Sequence, residues 1–272
     1  MPKLIDCVTY LDEDLLLDLR FNVLNQEVSK FVVVEAKQTH QGGKKKLNFD
    51  INNFKKFKNK IEYIVQEDLN KDEFKLPDSF HRGFSKDFSR ENSQRNYIMH
   101  GIKKNHDDDF IMISDCDEIP KLKSLVTKKI YKKFFLFKQD LFYYKFNLKC
   151  KEKTIGTRLC KKKYLLSPQS LRNIYPKRKF AYNFRNCIHI IEDGGWHFSY
   201  LKEPKEIIDK LEQFAHSEYN KKKYKDINHI KNSVEQGKDL LGRNIEFFKT
   251  EINKDFPEFL RSNIKQYKKW II

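Results

Sequence analysis

Two uninterrupted apolar runs limit how this chain can fold. One is FVVV (31–34), and the other is FIMI (110–113). A strand with one solvated face alternates apolar and polar residues, whereas an unbroken run is typical of a strand covered on both faces, as in a parallel sheet. Because parallel strands need long crossover connections, the segments between these runs are expected to contain helices.

The neighbouring segments follow that rhythm. Strands are predicted in LIDCVTY, KFVVVEA, IEYIV and FIMIS, and helices in DEDLLLDLRFNVLNQ, around Phe54 and Phe57, and in RENSQRNYIMHGIKK. In the last helix, Tyr97, Ile98 and Ile102 are expected to contact the core. This order predicts an α/β fold, with an open nucleotide-binding half over residues 1–120 built from βαβ units.

The second half of the chain has a different pattern. Antiparallel strands, rich in aromatic residues, are predicted in FFLFKQDLFYYKFNL, GTRLCKKKYLL and CIHIIEDGGWHFSY. From Pro204 onward the pattern is mostly helical, and one apolar stripe contains Ile207, Ile208, Leu211, Phe214 and Ala215. We therefore predict a catalytic domain over residues 1–203, whose acceptor-binding half is 121–203, and a helical C-terminal cap over 204–272 packed on it.

The net charge of +17 over 272 residues permits several interpretations. It is compatible with a nucleic-acid-binding protein. However, the lysines are spread along the whole chain, which favours a lysine-rich solvated surface without a dedicated nucleic-acid partner. A third interpretation is a basic protein that handles a phosphorylated small molecule or makes peripheral contact with an anionic membrane.

The cysteines and the N-terminus bear on the compartment. The five cysteines are scattered and form no C-x-x-C pair, which favours free thiols in a reducing compartment over a zinc site. The N-terminus carries acids where a signal peptide would be apolar, and no run approaches the roughly 18 apolar residues of a membrane span. We expect a cytoplasmic protein.

A cluster of acids follows the second apolar run. Asp115, Asp117 and Glu118 lie within four residues, directly after Ser114. Ligands of parallel sheets bind outside the carboxyl ends of the strands. A D-x-D there can place one or two carboxylates on Mg²⁺ or Mn²⁺, with diphosphate oxygens and water completing the coordination. A solvated acidic loop or a helix N-cap fits the same residues equally well. Asp107–Asp109, ahead of the strand, are expected to be solvated.

Five blocks of the chain resemble glycosyltransferase family 17 in their order. They are FVVVEAKQTHQG, SRENSQRNYIMHGI, DDFIMISDCDEIP, GGWHFSY and KLEQFAHSEYN. The resemblance implies a GT-A-type (Rossmann-like) fold with a mixed central sheet and a helical C-terminal extension. It also implies inverting transfer from a nucleotide sugar, usually UDP-N-acetylglucosamine, with a divalent metal. Animal members carry a membrane anchor and a lumenal stem. We expect neither here, so a glycoprotein acceptor is not implied.

With that resemblance, individual residues acquire expected roles. The metal ligands are expected to be Asp115, Asp117 and His197. The expected nucleotide-sugar contacts are Glu35, Thr39, Arg95, Asp115, Trp196, Lys210 and His216. Glu35 would accept hydrogen bonds from uracil or ribose, Arg95 would pair with the diphosphate or hold the D-x-D acids, and Trp196 would stack on a sugar ring. Each has a structural alternative as a loop acid, an internal ion pair or a packing residue.

An inverting transfer also needs a carboxylate base for the acceptor hydroxyl. Asp193 is the predicted base and Glu192 the second choice, although both are equally well explained as turn acids before Gly194. The sequence thus predicts a metal-assisted, inverting N-acetylglucosaminyltransferase acting on a glycan or lipid-linked saccharide. The alternatives are a basic nucleic-acid-binding protein and a catalytically inactive sugar-binding relative.

Overall fold

The computed structural model describes residues 1–76, 88–124, 132–176, 185–213 and 219–272. Its strands are β1 (Leu4–Tyr10), β2 (Lys30–Ala36), β3 (Ile61–Gln66), β4 (Phe110–Asp115), β5 (Glu118–Pro120), β6 (Phe134–Tyr143), β7 (Leu148–Lys161), β8 (Ile188–Ile191), β9 (Gly195–Ser199) and β10 (Phe247–Lys249). Its α-helices are α1 (Asp14–Leu24), α2 (Ser89–Asn96), α3 (Ile98–Ile102), α4 (Pro168–Arg172), α5 (Pro204–Gln213), α6 (Ile227–Gln236) and α7 (Glu258–Ser262).

All strands in these ranges belong to one mixed sheet. Its order is β3-β2-β1-β4-β7-β6-β9-β5, with β10 paired to β7 and β8 paired to β6. The first four strands of this order are parallel, and β7 then runs antiparallel to β4. A parallel βαβ half continued by such a mixed half is the predicted α/β fold of GT-A type, which is confirmed.

The parallel half is covered on both faces, as its apolar runs predict. In β2, Val33 belongs to the same buried cluster as Phe21 of α1, whereas its neighbour Val32 packs with Ile98 and Ile102 on the other face. A Cβ on Gly101 would lie only 2.5 Å from Val32 Cγ1, so glycine lets α3 pack closely on the sheet. The segment around Phe54 and Phe57 is helical as predicted, but it forms a 3₁₀ helix.

The prediction of antiparallel pairing in the second half is only partly correct. β6 does run antiparallel to β7, and β5 runs antiparallel to β9. However, β8 and β9 both pair with β6 in parallel. After β7 the chain returns to the edge of β6 through one long connection, and β8 and β9 then follow each other along that edge. The length of such a connection does not show in the local pattern of a strand.

Two consecutive glycines lie at the start of β9, where Gly194 precedes the strand and Gly195 begins it. Gly194 donates its N–H to the carbonyl of Lys138, and Gly195 adopts a positive φ of 116°. A Cβ on Gly195 would lie 2.3 Å from the carbonyl oxygen of Ile119. The backbones therefore approach closely at this glycine pair, and the close approach serves the pairing of the sheet itself.

The C-terminal region combines helices with a strand. Ile207 and Leu211 of α5 are buried as the apolar stripe predicts, while Phe214 and Ala215 lie outside the described residues. Strand β10 was not predicted, and it extends the sheet by pairing with β7. Near the C-terminus, Tyr267 is fully buried. None of the described helices is both long and apolar enough to span a bilayer.

Candidate active site

A cavity of about 370 Å³ lies at the carboxyl ends of β1 and β4. The parallel register places Thr9 of β1 beside Asp115 of β4, and both line the cavity. Asp117 follows in the turn after β4, while His197 of β9 and Lys210 of α5 come from the second half of the chain. The D-x-D acids therefore lie at the sheet edge predicted for them.

Asp115 is held by two arginines. Arg95 Nη2 of α2 donates to its Oδ1 and Arg172 Nη2 of α4 donates to its Oδ2, both at 2.9 Å. Burial opposes ionisation, but the two guanidinium groups hold the pKa of Asp115 well below its usual range. Both carboxylate oxygens are thus engaged within the protein, and the side chain is ionised in its folded environment.

A third carboxylate, that of Glu118, holds the turn after β4 in place. Glu118 is 3% exposed; it accepts the backbone N–H of Asp115 at 3.0 Å and pairs with Arg172 at 2.6 Å. The fully buried Arg20 donates to the carbonyl of Glu118 and pairs with Asp6 at 2.6 Å. These contacts hold the backbone of the D-x-D turn in one geometry.

Asp117 has a looser environment. Its Oδ2 lies 3.4 Å from His197 Nε2 and 3.9 Å from Lys210 Nζ. Although burial raises the pKa of Asp117, His197 and Lys210 lower it overall; conversely, Asp117 raises the pKa of His197 against the effect of burial. Asp117 therefore lies beside a histidine and a lysine, at separations longer than the usual range of a direct N–H···O bond.

Comparison with known proteins now identifies the kind of enzyme. The sequence model of glycosyltransferase family 17 matches residues 1–263. The chain belongs to glycosyltransferase family 17. It is therefore a glycosyltransferase, and this identification replaces the alternative interpretation as a basic nucleic-acid-binding protein.

The remaining comparisons are distant. No curated protein matches this family 17 glycosyltransferase significantly. Among solved structures, the galactosyltransferase LgtC with donor and acceptor sugar analogues is 13% identical, with a TM-score of 0.31 over 69% of this chain and 67% of that one. Glucosyl-3-phosphoglycerate synthase from Mycobacterium tuberculosis, with Mn²⁺, UDP-glucose and phosphoglyceric acid, is 9% identical, with a TM-score of 0.36 over 96% and 91%.

The three expected metal ligands of this family 17 glycosyltransferase do not form one cluster. Asp115 gives both oxygens to arginines, and the described residues contain no group of three or more His, Cys, Asp or Glu side chains placed to hold a metal. Asp117 and His197 do fit a cation, because two ligands that are each about 2.1 Å from one ion can lie 3.4 Å apart. Mg²⁺ sites commonly use one or two protein carboxylates and complete the coordination with substrate phosphates and water.

Two of the residues expected to contact the donor lie at the β2 end of the site. Thr39 lines the cavity, and its Oγ1 accepts the N–H of Gly43 at 3.1 Å. Glu35 is fully buried and is absent from the described lining of the cavity. It pairs with Lys45 and accepts bonds from Tyr63 and from backbone N–H groups, so it orders this loop from behind. The expected contact between Glu35 and uracil or ribose does not fit this placement.

The predicted bases lie elsewhere. Asp193 and Glu192 are 64% and 70% exposed and pair with Lys121 and Lys138 at 2.6 and 2.8 Å. Neither is among the described residues that line the cavity. They precede β9, whereas the cavity lies near its other end, at Ser199. The prediction that either is the base is therefore not supported by the geometry.

Trp196 also faces away from the site. It is 6% exposed, packs in the core under α1 and α7, and donates Nε1–H to the carbonyl of Asp255 at 2.9 Å. It does not serve as the expected sugar platform in this cavity. His216 falls outside the described residues.

Sequence reasoning missed Arg172, which pairs with both Asp115 and Glu118. The GRN segment supplies Arg243, which lines the cavity and donates to the hydroxyl of Tyr143 at 3.0 Å. Glu13, directly before α1, also lines the cavity. Glu13 was missed as well, and the only sign of its role in the sequence is its position shortly after the end of a parallel strand.

Proposed function

We propose that this chain transfers N-acetylglucosamine from UDP-N-acetylglucosamine to a saccharide acceptor, with inversion at the anomeric carbon and with Mn²⁺ or Mg²⁺. The family resemblance supports the choice of donor. The observation that carries the proposal is the group formed by Asp117, His197 and Lys210 in the cavity at the end of β4.

The charges in this group suit a diphosphate. The ammonium group of Lys210 lies 3.9 Å from Asp117 Oδ2, beyond hydrogen-bonding distance, and its side chain is 15% exposed. It can therefore approach a phosphate oxygen without breaking a direct hydrogen bond to Asp117. Asp117 and His197 would hold the cation, which when bound neutralises the diphosphate as it leaves.

Arg95 and Asp115 have a different proposed role. Arg95 pairs with Asp115 and with Glu91 at 2.9 and 2.8 Å, and its Nη1 also donates to Gln169. This arrangement supports the second of its two expected roles, which is to hold the D-x-D acids in place. We propose that Asp115 positions the turn that carries Asp117.

The nucleoside is proposed to bind against the loop after β2. Thr39 and His40 line the cavity there, and the His40 ring is hydrogen-bonded to Gln94 at 2.7 Å. Gln94 in turn donates to the carbonyl groups of Tyr10 and Val34. A polar surface that is tied to two strand ends is a rigid place to hold a base or a ribose.

Calorimetry tests the donor and the metal together. UDP-, GDP- and dTDP-sugars are titrated with and without Mn²⁺, and we expect UDP-N-acetylglucosamine to bind most tightly and only with the metal. Asp117→Asn and His197→Gln should lose the dependence on Mn²⁺. The matched control is Asp107→Asn, because Asp107 is 75% exposed and precedes the same strand.

Product analysis tests the reaction. Transfer to a saccharide panel is followed by NMR, and a β-linked product from the α-linked donor is expected. An α-linked product would exclude inversion, and a full rate in EDTA would exclude the metal. Donor binding without turnover on any acceptor would support the catalytically inactive relative instead.

A further inference from the structure

A second cavity, of about 230 Å³, adjoins the first. The two share four lining residues, which are Glu13, Asp117, Tyr200 and Lys210. These side chains therefore form a common wall between the proposed donor site and the second cavity. A ligand in the second cavity would meet the donor at that wall.

The lining of the second cavity is acidic, although the protein is basic. Its described lining contains five carboxylates and two lysine ammonium groups. One of those lysines, Lys202, is paired with Asp12 at 2.6 Å. Carboxylates accept hydrogen bonds from hydroxyl groups and repel anions, so this lining favours a neutral, hydroxyl-rich ligand.

An aromatic side chain completes the second cavity. Trp270 is half-buried and lines the cavity together with Phe198 of β9, and its carbonyl accepts the N–H of Phe146 at 2.8 Å. The ammonium groups of Lys145 and Lys269 lie 5.5 and 5.3 Å from its ring centroid. The ring is therefore held in place as an apolar surface for the C–H groups of a sugar.

Glu13 lies at the junction with one oxygen anchored. Its Oε2 accepts the N–H groups of Leu11 and Asp12 at 3.0 and 3.2 Å, and its Oε1 lies 3.9 Å from Lys210 Nζ. Glu13 and Asp117 are the two carboxylates described in the linings of both cavities. Asp117 is proposed to hold the cation, which leaves Glu13 to accept a proton. Since each lies 3.9 Å from the same ammonium group, their nearest oxygens are at most twice that distance apart.

We propose that the second cavity binds a neutral saccharide acceptor and that Glu13 is the general base of the transfer. This rests on the proposed function. The acceptor hydroxyl oxygen forms a bond to the anomeric carbon, and its proton passes to Glu13 Oε1. The bond from that carbon to the β-phosphate oxygen breaks, and its electron pair leaves with UDP.

Hydrolysis of UDP-N-acetylglucosamine tests the base without a known acceptor, because water takes the place of the hydroxyl. Glu13→Gln should lower the rate of UDP release by about 10²–10⁴-fold, while the Kd for UDP-N-acetylglucosamine stays within about twofold. Glu13→Asp, which keeps the carboxylate, should recover part of the rate. Glu27→Gln, at an exposed position after α1, is the matched control and should retain the full rate.

The outcomes separate the two proposals. If Glu13→Gln binds the donor and hydrolyses it at the wild-type rate, the base assignment is wrong and the proposed function stands. If the wild type neither binds nor turns over UDP-N-acetylglucosamine, the proposed function is wrong and the inference fails with it. Loss of donor binding in both Glu13 variants would mark Glu13 as a structural residue and overturn its role as base.

Saturation-transfer NMR tests the ligand class of the second cavity. The probes are the methyl glycosides of glucose, galactose, mannose and N-acetylglucosamine, with methyl glucuronide as the anionic counterpart, all with UDP and Mn²⁺ present. We expect a neutral glycoside to bind and its signal to fall at least about fivefold in Trp270→Ala, with Trp270→Phe intermediate. Preferred binding of the glucuronide, or equal binding in Trp270→Ala, would overturn the assignment of the cavity.

Discussion

The two acids of the D-x-D lie in environments that differ more than their spacing suggests. The arginine side of the site comprises Asp115, Glu118, Arg95 and Arg172, and its ion pairs between Asp115 or Glu118 and an arginine measure 2.6–2.9 Å. The histidine side comprises Asp117, His197, Lys210 and Glu13, and its ion pairs measure 3.4–3.9 Å.

This difference suggests that the arginine side supports the structure of the site and that the histidine side carries out the chemistry. On the arginine side, the carboxylates already have charged partners at hydrogen-bonding distance, so a ligand would have to displace one of them. On the histidine side, the charges are close but not in direct contact, and a cation or a phosphate can enter without displacing a strong bond. We therefore expect variants of the arginine side to change stability and variants of the histidine side to change activity.

The largest effect is expected from Asp117→Asn. Removing the anion that would hold the cation should lower turnover about 10³-fold, which corresponds to about 4 kcal/mol of transition-state free energy. UDP release measures it, and urea unfolding should shift little because the pairs at Asp117 are loose. A wild-type rate in this variant, beside an unaffected Asp107→Asn control, would contradict the proposed role of the histidine side.

The next effect is expected from Arg172→Met on the other side. It leaves the buried Glu118 without its guanidinium partner, so the free energy of unfolding should fall by about 3 kcal/mol. Urea denaturation measures it, with the exposed Arg261→Met as the matched control. If Arg172→Met unfolds at the same urea concentration as the wild type, the arginine side does not stabilise the turn.

A third variant tests the packing of Gly156 and Gln139 next to the arginine side. A Cβ on Gly156 would lie 1.7 Å from Gln139 Oε1, and that oxygen accepts the N–H of Thr157. Gly156→Ala should therefore displace Gln139 and lower the free energy of unfolding by about 2 kcal/mol. At Gly43 the nearest atom would be 3.4 Å away, so Gly43→Ala should be nearly neutral. Equal stability of the two variants would show that the packing around Gln139 adapts without cost.

The sequence predicted the parallel half of the sheet because its signals are local. Apolar runs mark β2 and β4, and a helical segment lies between each pair of successive strands, so short stretches of sequence contain the necessary information. Of the two arginines on the arginine side, Arg95 was expected to hold the D-x-D acids, whereas Arg172 was not predictable in this way. Arg172 meets Asp115 only because α4 packs beside β4 in the folded chain, and no spacing links the two residues.

Two of the site predictions conflicted with strand geometry from the start. Neighbouring residues of a strand point to opposite faces, so His197 and Trp196 cannot both reach one cavity from β9. Asp193 precedes His197 by four residues, which is about 13 Å along an extended chain. The prediction that Asp109 is solvated was wrong for another reason. Asp109 is only 5% exposed, and its carboxylate accepts hydrogen bonds from the N–H of Lys3 and from the side chain of Asn105.

The smallest expected effect distinguishes the two acids most directly. At ten times its Kd, Mn²⁺ should stabilise the folded wild type by about 1.4 kcal/mol, because it binds the native state only. His197→Gln should lose this stabilisation, which thermal unfolding with and without Mn²⁺ measures. Asp115→Asn should keep it, even from a lower starting stability, because the oxygens of Asp115 are bonded to arginines. Loss of the Mn²⁺ effect in Asp115→Asn would show that binding of the cation depends on both acids, and the contrast between the two sides would then not hold.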